Sequence, residues 1–426
     1  MRGAGMTRTT LLLRKSMTDL YGQAWTGARQ TNQTDEGTDR QSDWKNGPGL
    51  IRFVGPDWQA TSSKLADVTA YAKRGSRTLA VSTLKGIKVG SLVTLVMSDV
   101  GGMLHTDMNF RSARAGCQAT CWTTPRALRF HSRVAAVDAG AQGGPSLTLE
   151  RALPLNVSVA WQPEVWSYAP GVSEVGIEDM RIEHKWAPYP GHLEEEGWNG
   201  LEFSRTSNCW ARNVAIVNGD NSLGVSEASF CTFQNIQLSR TAARARDGKD
   251  CHHGLNVSAS QDILVADWAI GMRCWHDATV FNWTLGVAWV NGSGYDLALD
   301  HHRLYPYATL WSNIALGQGT RPWSGGGITP WGTGTSSFAT FWNLRASKPI
   351  SQALPVWDLG HRAAFVGVDM GPAVDAGWNR GAATQQGWVR QDLPGLPSPT
   401  KALWPPDLYS AQLAWRTAQE ALLSKS

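Results

Sequence analysis

The sequence lacks long apolar runs and carries little net charge. None of its apolar stretches approaches the ~18 residues needed to cross a membrane, and the one in the opening MRGAGMTRTTLLLRKS is too short for a signal peptide. Charged residues make up 17% of the 426 residues, and the formal net charge is +4. This weak and dispersed charge predicts neither nucleic acid nor a membrane surface as a partner.

Several motifs of common active sites are also missing. The histidines and cysteines do not follow a standard zinc spacing, and the glycines of RPWSGGG lack the spacing of a phosphate-binding P-loop. No nucleophile elbow and no Ser-His-Asp order can be recognised. What the chain does have is 44 glycines and 22 tryptophans without long charged helical stretches, which favours β structure with many turns.

A short pattern recurs along the second half of the chain: an apolar residue, any residue, Asn or Asp, then apolar, any and apolar. Its successive Asn/Asp positions are 34, 22, 32, 15, 31 and 30 residues apart. The step of 15 is too short for a coil, so either Asp267 or Asn282 matches by coincidence. The positions are Asp179, Asn213, Asn235, Asp267, Asn282, Asn313 and Asn343.

Alternating segments such as GLEF at Gly200 and GLNV at Gly254 precede these motifs and predict strands. Asn and Asp suit the turns between strands because they tolerate left-handed backbone angles. Strands that return every 22 to 34 residues predict an all-β, single-stranded parallel β-solenoid in which the Asn residues stack as a ladder. The alternative is a β-sandwich with irregular loops.

Changes in composition and in the pattern of predicted strands divide the chain into four segments. We predict first β-helix coils over residues 1–65, an inserted small β subdomain over 66–170 and the main parallel β-helix over 171–378. Residues 379–426 contain a Pro-rich linker and a C-terminal helix with Asp407 as N-cap, which would cap the end of the solenoid.

The positions of the cysteines test the alignment of successive coils by their Asn/Asp motifs. Cys209 and Cys231 each lie four residues before an Asn motif, so we predict a disulfide between adjacent coils, with a free buried pair as the alternative. Cys251 and Cys274 do not share a register in this alignment. Six cysteines and five glycosylation sequons indicate a secreted protein. The sequons are at Asn32, Asn156, Asn256, Asn282 and Asn291.

The coil motifs, the opening GAGMTRTTLLL and the insertion TLAVSTLKGIKVG together resemble the pectate-lyase-like superfamily of right-handed parallel β-helix proteins, which includes pectate lyases and rhamnogalacturonases. The resemblance implies a right-handed β-helix and a polysaccharide substrate. Members of that family begin with an N-terminal cap that is absent here, so we expect this chain to begin inside a longer precursor.

Aligning Met272 with Leu297 places His276 and His301 in one column on the solenoid, with His253 at its edge. Around this column we expect a candidate site of acids, bases and aromatic residues. The alternative is that such His–Asp pairs only satisfy backbone groups at strand ends. The surrounding residues are Arg273, Trp275, Asp277, Asp300, His302, Arg303, Tyr305, Arg321 and Trp323.

From this cluster we predict a polysaccharide lyase that cleaves a uronate-containing glycan by β-elimination. His301 or His302 would be the base with His276 assisting, Arg303 or Arg273 would hold the carboxylate, and Tyr305 would protonate the leaving oxygen. A glycoside hydrolase using Asp277 and Asp300, or a non-catalytic glycan-binding protein, are the alternatives. Substrate contacts are expected from Arg321, Trp323, Trp275 and His253.

The remaining expectations concern ligands and location. The motifs require no particular cofactor, and metal ligation by the His and Asp residues of the cluster is an alternative to acid–base chemistry. The acidic run Glu194 to Glu196 is typical of a solvated loop, with a role in binding Ca²⁺ or substrate as the alternative. We expect a monomer that acts on a polysaccharide outside the cell or in a cell wall, without nucleic acid or membrane partners.

Overall fold

The computed structural model describes most of the chain and separates it into two compact units. Unit 1 is formed by Met1–Val54 and the described residues from Glu174 onward, and unit 2 by Gly55–Ser173. The described residues are 1–22, 24–25, 34–35, 38–41, 48–108, 127–140, 143–327, 334–335, 337–353, 362–368, 389–391 and 403–423.

The elements follow one another in chain order. Unit 1 begins with β1 (Thr10–Leu13), α1 (Met17–Tyr21), β2 (Thr34–Asp35), β3 (Thr38–Gln41) and β4 (Ile51–Val54). Unit 2 contains α2 (Trp58–Thr61), β5 (Lys64–Asp67), β6 (Thr78–Ala80), β7 (Leu92–Ser98), α3 (Met103–Met108), β8 (Ala127–Asp138), β9 (Ser146–Leu149), β10 (Glu164–Ser167) and β11 (Val172–Ser173), with short 3-10 turns at Val100–Gly102 and Val159–Trp161.

Unit 1 then continues with the strands that form most of its two sheets. These elements are β12 (Gly176–His184), β13 (Asn199–Ser204), β14 (Thr206–Ser207), β15 (Trp210–Val217), β16 (Asn221–Ser226), β17 (Thr232–Ser239), β18 (Cys251–Ser258), β19 (Leu264–Ala266), β20 (Ala269–Ile270), β21 (Cys274–Phe281), β22 (Ala288–Val290), β23 (Ser293–Gly294), β24 (Leu299–His301), β25 (Leu310–Ala315), β26 (Thr340–Arg345), β27 (Ala364–Val366), β28 (Val389–Gln391) and α4 (Leu408–Leu423).

Unit 1 is a parallel β-helix with three sides. Sheet 1 has the order β1-β12-β15-β17-β19-β22-β25-β26-β27-β28, and sheet 2 has the order β4-β13-β16-β18-β21-β24. A third column of parallel bridges joins Ser207, Ser229, Gln261, Leu285 and Tyr307. The chain passes from sheet 2 through this column to sheet 1 and enters the next coil. The predicted right-handed, single-stranded parallel β-helix is therefore confirmed.

The first strand belongs to the same helix. β1 pairs in parallel with β12, with Thr10 opposite Arg181, and Arg2 bridges to Glu178. The opening residues thus extend sheet 1 by one strand.

An asparagine ladder follows one edge of the solenoid. Each side-chain amide donates to the residue one coil before it, at separations of 34, 22, 24, 22 and 30 residues along the chain. All seven members have positive φ between 52° and 58°, the region that Asn and Asp tolerate best. The members are Asp179, Asn213, Asn235, Asp267, Asn291, Asn313 and Asn343. The ladder is thus confirmed, and Asn282 is the coincidental match because Asn291 occupies its place.

The interior of the solenoid is filled by columns of apolar side chains. In one column of sheet 1 the residues in register are all buried, and the rings of Trp289 and Trp311 stack with centroids 5.0 Å apart. Burial of such large side chains is the main force that holds the coils together. The column consists of Ile177, Ala211, Phe233, Val265, Trp289, Trp311, Phe341 and Phe365.

Unit 2 is an antiparallel six-stranded barrel. Its strands have the order β5-β10-β7-β8-β9-β6, and an antiparallel bridge between Val68 and Val81 joins the first strand to the last. The barrel interior contains fully buried apolar residues such as Leu79, Leu95 and Phe130. The predicted insertion of a small β subdomain is present.

The cysteine pairing differs from the prediction. Cys209 and Cys231 are both free and buried, and the backbone amide of Cys209 donates to Cys231 Sγ at 3.4 Å. The disulfide instead joins Cys251 and Cys274, which are direct partners in the pairing of β18 with β21 and have Cα atoms 4.4 Å apart. The Asn motifs correctly placed Cys209 and Cys231 next to each other in neighbouring coils, where they form the free buried pair given as the alternative. The pair Cys251 and Cys274 was missed because these motifs did not give the register of sheet 2.

The C-terminal helix α4 begins as predicted. Asp407 accepts hydrogen bonds from the backbone amides of Tyr409 and Ser410 at 2.9 and 3.2 Å, which is an N-cap. Ser312 in β25 donates to Asp407, so the helix starts beside this coil. Within the described part of the chain, no helix has both the length and the apolar character that a membrane crossing demands.

Candidate functional site

Sheet 2 brings histidines from successive coils into one row. Asn221 pairs with His253, and His253 pairs with His276, because β16, β18 and β21 run in parallel register. The rings of His253 and His276 stack with centroids 4.6 Å apart. His302 follows β24, and its ring centroid lies 4.6 Å from that of His276. The spacing of neighbouring parallel strands, ~4.8 Å, sets these ring distances.

Asp300 is the buried anion of this cluster. Its Oδ2 atom lies 2.8 Å from Nδ1 of His302, 3.0 Å from Nδ1 of His276 and 3.0 Å from Oγ1 of Thr279, and its Oδ1 accepts from the amide of Gly326 at 2.6 Å. Burial acts to raise the pKa of Asp300, but the two imidazoles and their hydrogen bonds hold it well below its usual value. A charged acceptor at this position places a proton on both Nδ1 atoms and leaves both Nε2 lone pairs available.

Burial also keeps the imidazole of His276 neutral. It lowers the pKa of His276 to about 4, although Asp300 acts in the opposite direction. The side chains of His276 and His302 remain 10% and 7% exposed, whereas that of Asp300 is fully buried. Solvent therefore reaches an edge of each ring but not the carboxylate.

Gly326 allows a loop to close over the two rings. A Cβ atom added at this position would collide with ring atoms of both His302 and His276. Only glycine lets the backbone come near enough for its amide to reach Asp300. The glycines of RPWSGGG thus serve close approach, as their sequence predicted.

A second buried carboxylate lies on the other side of the cluster. Glu195 Oε1 accepts from the hydroxyl of Tyr189 at 2.8 Å and from the amide of Leu193 at 3.0 Å. Nδ1 of His252 lies 3.1 Å from the same oxygen, at an angle that leaves the hydrogen bond unformed. Burial favours a raised pKa for Glu195, but His252 and Tyr189 lower it. The acidic run is therefore not simply a solvated loop, because its central residue is 1% exposed.

A network of fully buried charges fixes this loop. The guanidinium of Arg244 donates to Ala187 O at 2.9 Å and to Asp220 Oδ1 at 2.6 Å, and its backbone carbonyl accepts from the amide of Tyr189. Asp250 accepts from the amide of Arg244 at 2.6 Å. The loop that carries Glu195 is thereby tied to the segment that precedes β18.

His192 lies at the outer side of the cluster. Its ring centroid is 4.6 Å from that of His252 and 4.7 Å from the ring of Trp275. The ammonium of Lys249 lies 3.2 Å from the ring centroid of Trp275. Burial, with a smaller effect from His252, lowers the pKa of His192 to about 3, so its imidazole is also neutral near pH 7.

Two sets of these residues have the geometry of metal ligands. The possible ligand atoms of His192, His252 and His276 lie within 4.8 Å of one another, and so do those of His276, Asp300 and His302. In the second set the ligand atoms lie close together because the Nδ1–H groups of His276 and His302 both donate to the carboxylate of Asp300. No hydrogen bond joins the three imidazoles of the first set within the described residues.

His301 does not join this cluster. It pairs with Val280, which continues a column through Val257, and these positions face the interior. Nε1 of Trp311 donates to Nε2 of His301 at 2.9 Å, and Phe341 packs beside the ring. The predicted column of His276 with His301 is therefore wrong, since the two sheets fix a register different from the sequence alignment.

Two aromatic residues of the predicted site belong to the core. Tyr305 is fully buried, and its ring lies 5.1 Å from that of Trp283, so it is not placed to protonate a leaving group. Trp323 is 7% exposed and packs edge-on against Phe341, so it offers no open face for a sugar.

The predicted arginine clamps are occupied by acidic partners. Arg273 pairs with Asp296 at 2.6 Å, and Arg321 pairs with Asp277 at 2.5 Å. Asp277 also accepts from the amides of Cys274 and Ala298, although burial raises its pKa to about 6. These residues stabilise the ends of the coils, as in the alternative that polar residues at strand ends only satisfy backbone groups and neighbouring charges. Nε of Arg303 donates to the carbonyl of Gly327 at 3.3 Å.

Sequence reasoning missed His192 and His252, and it named Glu195 only as part of an acidic run, without assigning it to this cluster. The stretches CHHGL and HLEEEGW contained the signal, because each places histidine beside a strand start or an acidic run. His253 was correctly grouped with His276, and the structure brings it into the same row. Trp275 contacts the cluster through His192.

Fold and site together define a parallel β-helix protein with a histidine–carboxylate cluster on one sheet. No family model and no curated protein matches the sequence. Solved structures that are similar to this chain include three phage tailspikes, and the chain spans 54–62% of their lengths.

Tailspike gp49 of Pseudomonas phage LKA1 has a TM-score of 0.42 and 12% sequence identity, and the match covers 75% of this chain and 54% of the tailspike. Tailspike gp54 of Acinetobacter baumannii bacteriophage AP22, in complex with A. baumannii capsular saccharide, has a TM-score of 0.30 and 9% identity, with 74% of this chain and 57% of the tailspike covered. Tailspike gp61 of Pseudomonas phage phi297 has a TM-score of 0.28 and 10% identity, with 87% of this chain and 62% of the tailspike covered.

Proposed function

We propose that this protein is a polysaccharide lyase of the pectate-lyase-like superfamily that cleaves a uronate-containing glycan by β-elimination. One observation carries the proposal: Asp300 bonds Nδ1 of both His276 and His302, and each ring keeps an exposed edge. A carboxylate that orients a neutral imidazole in this way makes its Nε2 atom a general base.

His302 is the base in this scheme. Its Nε2 takes the proton from the carbon next to the uronate carboxylate, and the electrons of that C–H bond form a carbon–carbon double bond. The bond to the glycosidic oxygen breaks, and its electron pair leaves with the oxygen. The imidazolium of His302 returns the proton to that oxygen, so no other acid is needed. His276 shares Asp300 and supports the position of the ring.

Lys249 replaces the arginines as the cation for the substrate carboxylate. Arg273 and Arg321 are engaged by Asp296 and Asp277, whereas among the described residues Lys249 contacts the ring of Trp275 at the outer side of the cluster. A uronate lying along the outer face of sheet 2 would meet this ammonium and the base together. A substrate of this class is extracellular, so we also propose an extracellular or cell-wall location.

The test is a screen of uronate polysaccharides in which the ultraviolet absorbance of an unsaturated uronate is followed. Wild-type protein is expected to generate this absorbance, and His302→Gln is expected to lower the rate by roughly 10²–10⁴-fold, the usual contribution of a general base. New reducing ends without this absorbance would indicate a hydrolase, and binding without cleavage would indicate a glycan-binding protein. Either result contradicts the proposal.

His301→Gln is the matched control. His301 neighbours His302 but faces the interior, and a glutamine oxygen can still accept from Trp311 Nε1. We expect this variant to keep its activity per folded molecule. Equal losses in both variants would assign the effect to folding rather than to the base.

A further inference from the structure

We propose that His192, His252 and His276 bind a divalent transition-metal ion, with zinc as the ion whose ligand preferences they match best. The three ligand atoms lie within 4.8 Å of one another although the residues come from a loop and two strands. Three imidazoles around an open fourth position form the ligand set of catalytic zinc sites. The inference concerns metal binding and goes beyond the proposed cleavage reaction.

The arrangement behind the ligands supports this proposal. Nδ1 of His276 lies 3.0 Å from Asp300, and Nδ1 of His252 lies 3.1 Å from Glu195. Metal-binding histidines commonly direct their second nitrogen to a carboxylate, which fixes the tautomer and leaves Nε2 for the ion. His276 therefore already has the orientation that a metal site requires, and His252 has a carboxylate within reach of its Nδ1 atom.

The charges around the cluster also fit a cation. Two buried carboxylates, Asp300 and Glu195, lie directly behind these imidazoles. Among the described residues, Oε2 of Glu195 is buried and has no hydrogen-bond partner. A divalent ion between the rings would place positive charge beside these carboxylates.

Access to the site comes through His192. This residue is partly exposed, whereas His252 and His276 are 3% and 8% exposed. The ion would therefore keep one position toward solvent or substrate. His302 lies outside this triad, so base and metal are separate groups that meet at His276 and Asp300.

The test is zinc binding by the full chain after removal of any polyhistidine tag and of metal by a chelator. Calorimetry is expected to show one equivalent of Zn²⁺ bound in the wild-type protein, and X-ray absorption is expected to show nitrogen ligands at about 2.0–2.1 Å. His192→Ala is expected to lose this binding, and its loop position makes loss of folding a lesser risk. Wild-type protein that binds no more zinc than His192→Ala would overturn the proposal.

Two further variants separate metal binding from catalysis and from folding. Glu195→Gln keeps an acceptor for Tyr189 and is expected to weaken zinc binding by about 10–100-fold, as loss of a partner behind a ligand does. His302→Gln is expected to bind zinc like the wild-type protein while losing cleavage. Zinc binding that survives His192→Ala but disappears in His302→Gln would assign the ion to His276, Asp300 and His302 and would contradict the proposal.

Discussion

Asp300 is a charged group without solvent contact, and such a group persists only when its oxygens are bonded. Its partners come from three segments: β21, the residues after β24 and the glycine loop. The carboxylate therefore links elements that are distant in the chain, and it orients two imidazoles at the same time.

Replacing Asp300 by Asn tests this role at the level of one residue. An amide presents its NH₂ group where a carboxylate presents an oxygen, so at least one donor among His276, His302 and Gly326 loses its acceptor. We expect a loss of roughly 1–3 kcal/mol in unfolding free energy, measured by denaturant titration. Glu202→Gln is the control, because Glu202 occupies the position in β13 that corresponds to Asp300 in β24. Its ion pair with Arg52 is partly exposed and contributes at most about 1 kcal/mol to the unfolding free energy. Equal losses would contradict the argument.

Gly326 offers a second test at this scale. In Gly326→Ala the new methyl group collides with ring atoms of His302 and His276, so the loop or the rings must move. We expect a loss of about 1–3 kcal/mol, together with lower cleavage activity. Gly224→Ala is the matched control in sheet 2, since a Cβ atom there meets no neighbour within 4 Å. A Gly326→Ala variant as stable and active as Gly224→Ala would show that the close approach is dispensable.

At the level of elements, the ladder depends on both hydrogen bonding and backbone conformation. Asn235 has φ 52°, donates to Asn213 at 3.0 Å and accepts from Gln237 at 3.1 Å. Asn235→Gly removes the hydrogen bonds but tolerates the backbone, whereas Asn235→Ala also carries the left-handed penalty of about 1–2 kcal/mol. Thermal and denaturant unfolding should therefore rank Asn above Gly and Gly above Ala. If alanine is at least as stable as glycine, the conformational explanation fails.

The disulfide between Cys251 and Cys274 joins the first residues of β18 and β21, two positions before the paired histidines His253 and His276. We expect the double variant with serine at both positions to lose about 2–4 kcal/mol, because the unfolded chain regains freedom. A reducing agent should lower the melting temperature of the wild-type protein by a similar amount and leave the double variant unchanged. A melting temperature insensitive to reduction in both proteins would show that the bridge contributes nothing.

At the level of the whole molecule, the buried histidines determine how stability depends on pH. Burial lowers the pKa values of His276 and His301 to about 4 from 6.5 in the unfolded chain. Between these values the unfolded chain binds protons that the folded chain does not bind, so the unfolding free energy falls as pH falls through this window. The lowered pKa of Asp300, which faces His276 and His302, acts in the same direction. The pKa of Asp277, which burial raises to about 6, acts in the opposite direction and offsets the contribution of one histidine.

We therefore expect unfolding free energy to be highest above about pH 6.5 and to decline toward pH 4, with up to roughly 3 kcal/mol from each of the two histidines. Denaturant titrations at a series of pH values measure this slope. His301→Gln should make the decline shallower by the contribution of one group. A stability that stays constant over this range would contradict the assignment of buried neutral histidines.

The sequence by itself determined the architecture. Period-2 alternation, Asn or Asp at positions that need left-handed angles, and return distances of one coil are local properties, and they predicted the β-helix, its ladder, the inserted β subdomain and the Asp407 cap. The tertiary structure decided the register of sheet 2. Coil lengths vary, so the Asn motifs of sheet 1 cannot say which residues of sheet 2 face one another.

The register of sheet 2 places His301 in the core, Cys251 opposite Cys274 and His253 opposite His276. His192 and Glu195 enter the cluster from a loop without periodicity, and only packing places such a segment. The pairing of β21 with β24 places His301 opposite Val280 and not opposite His276, because the coil between them is shorter than the sequence alignment assumed. For this physical reason the sequence predicted a histidine-rich site, whereas its members could be identified only in the folded molecule.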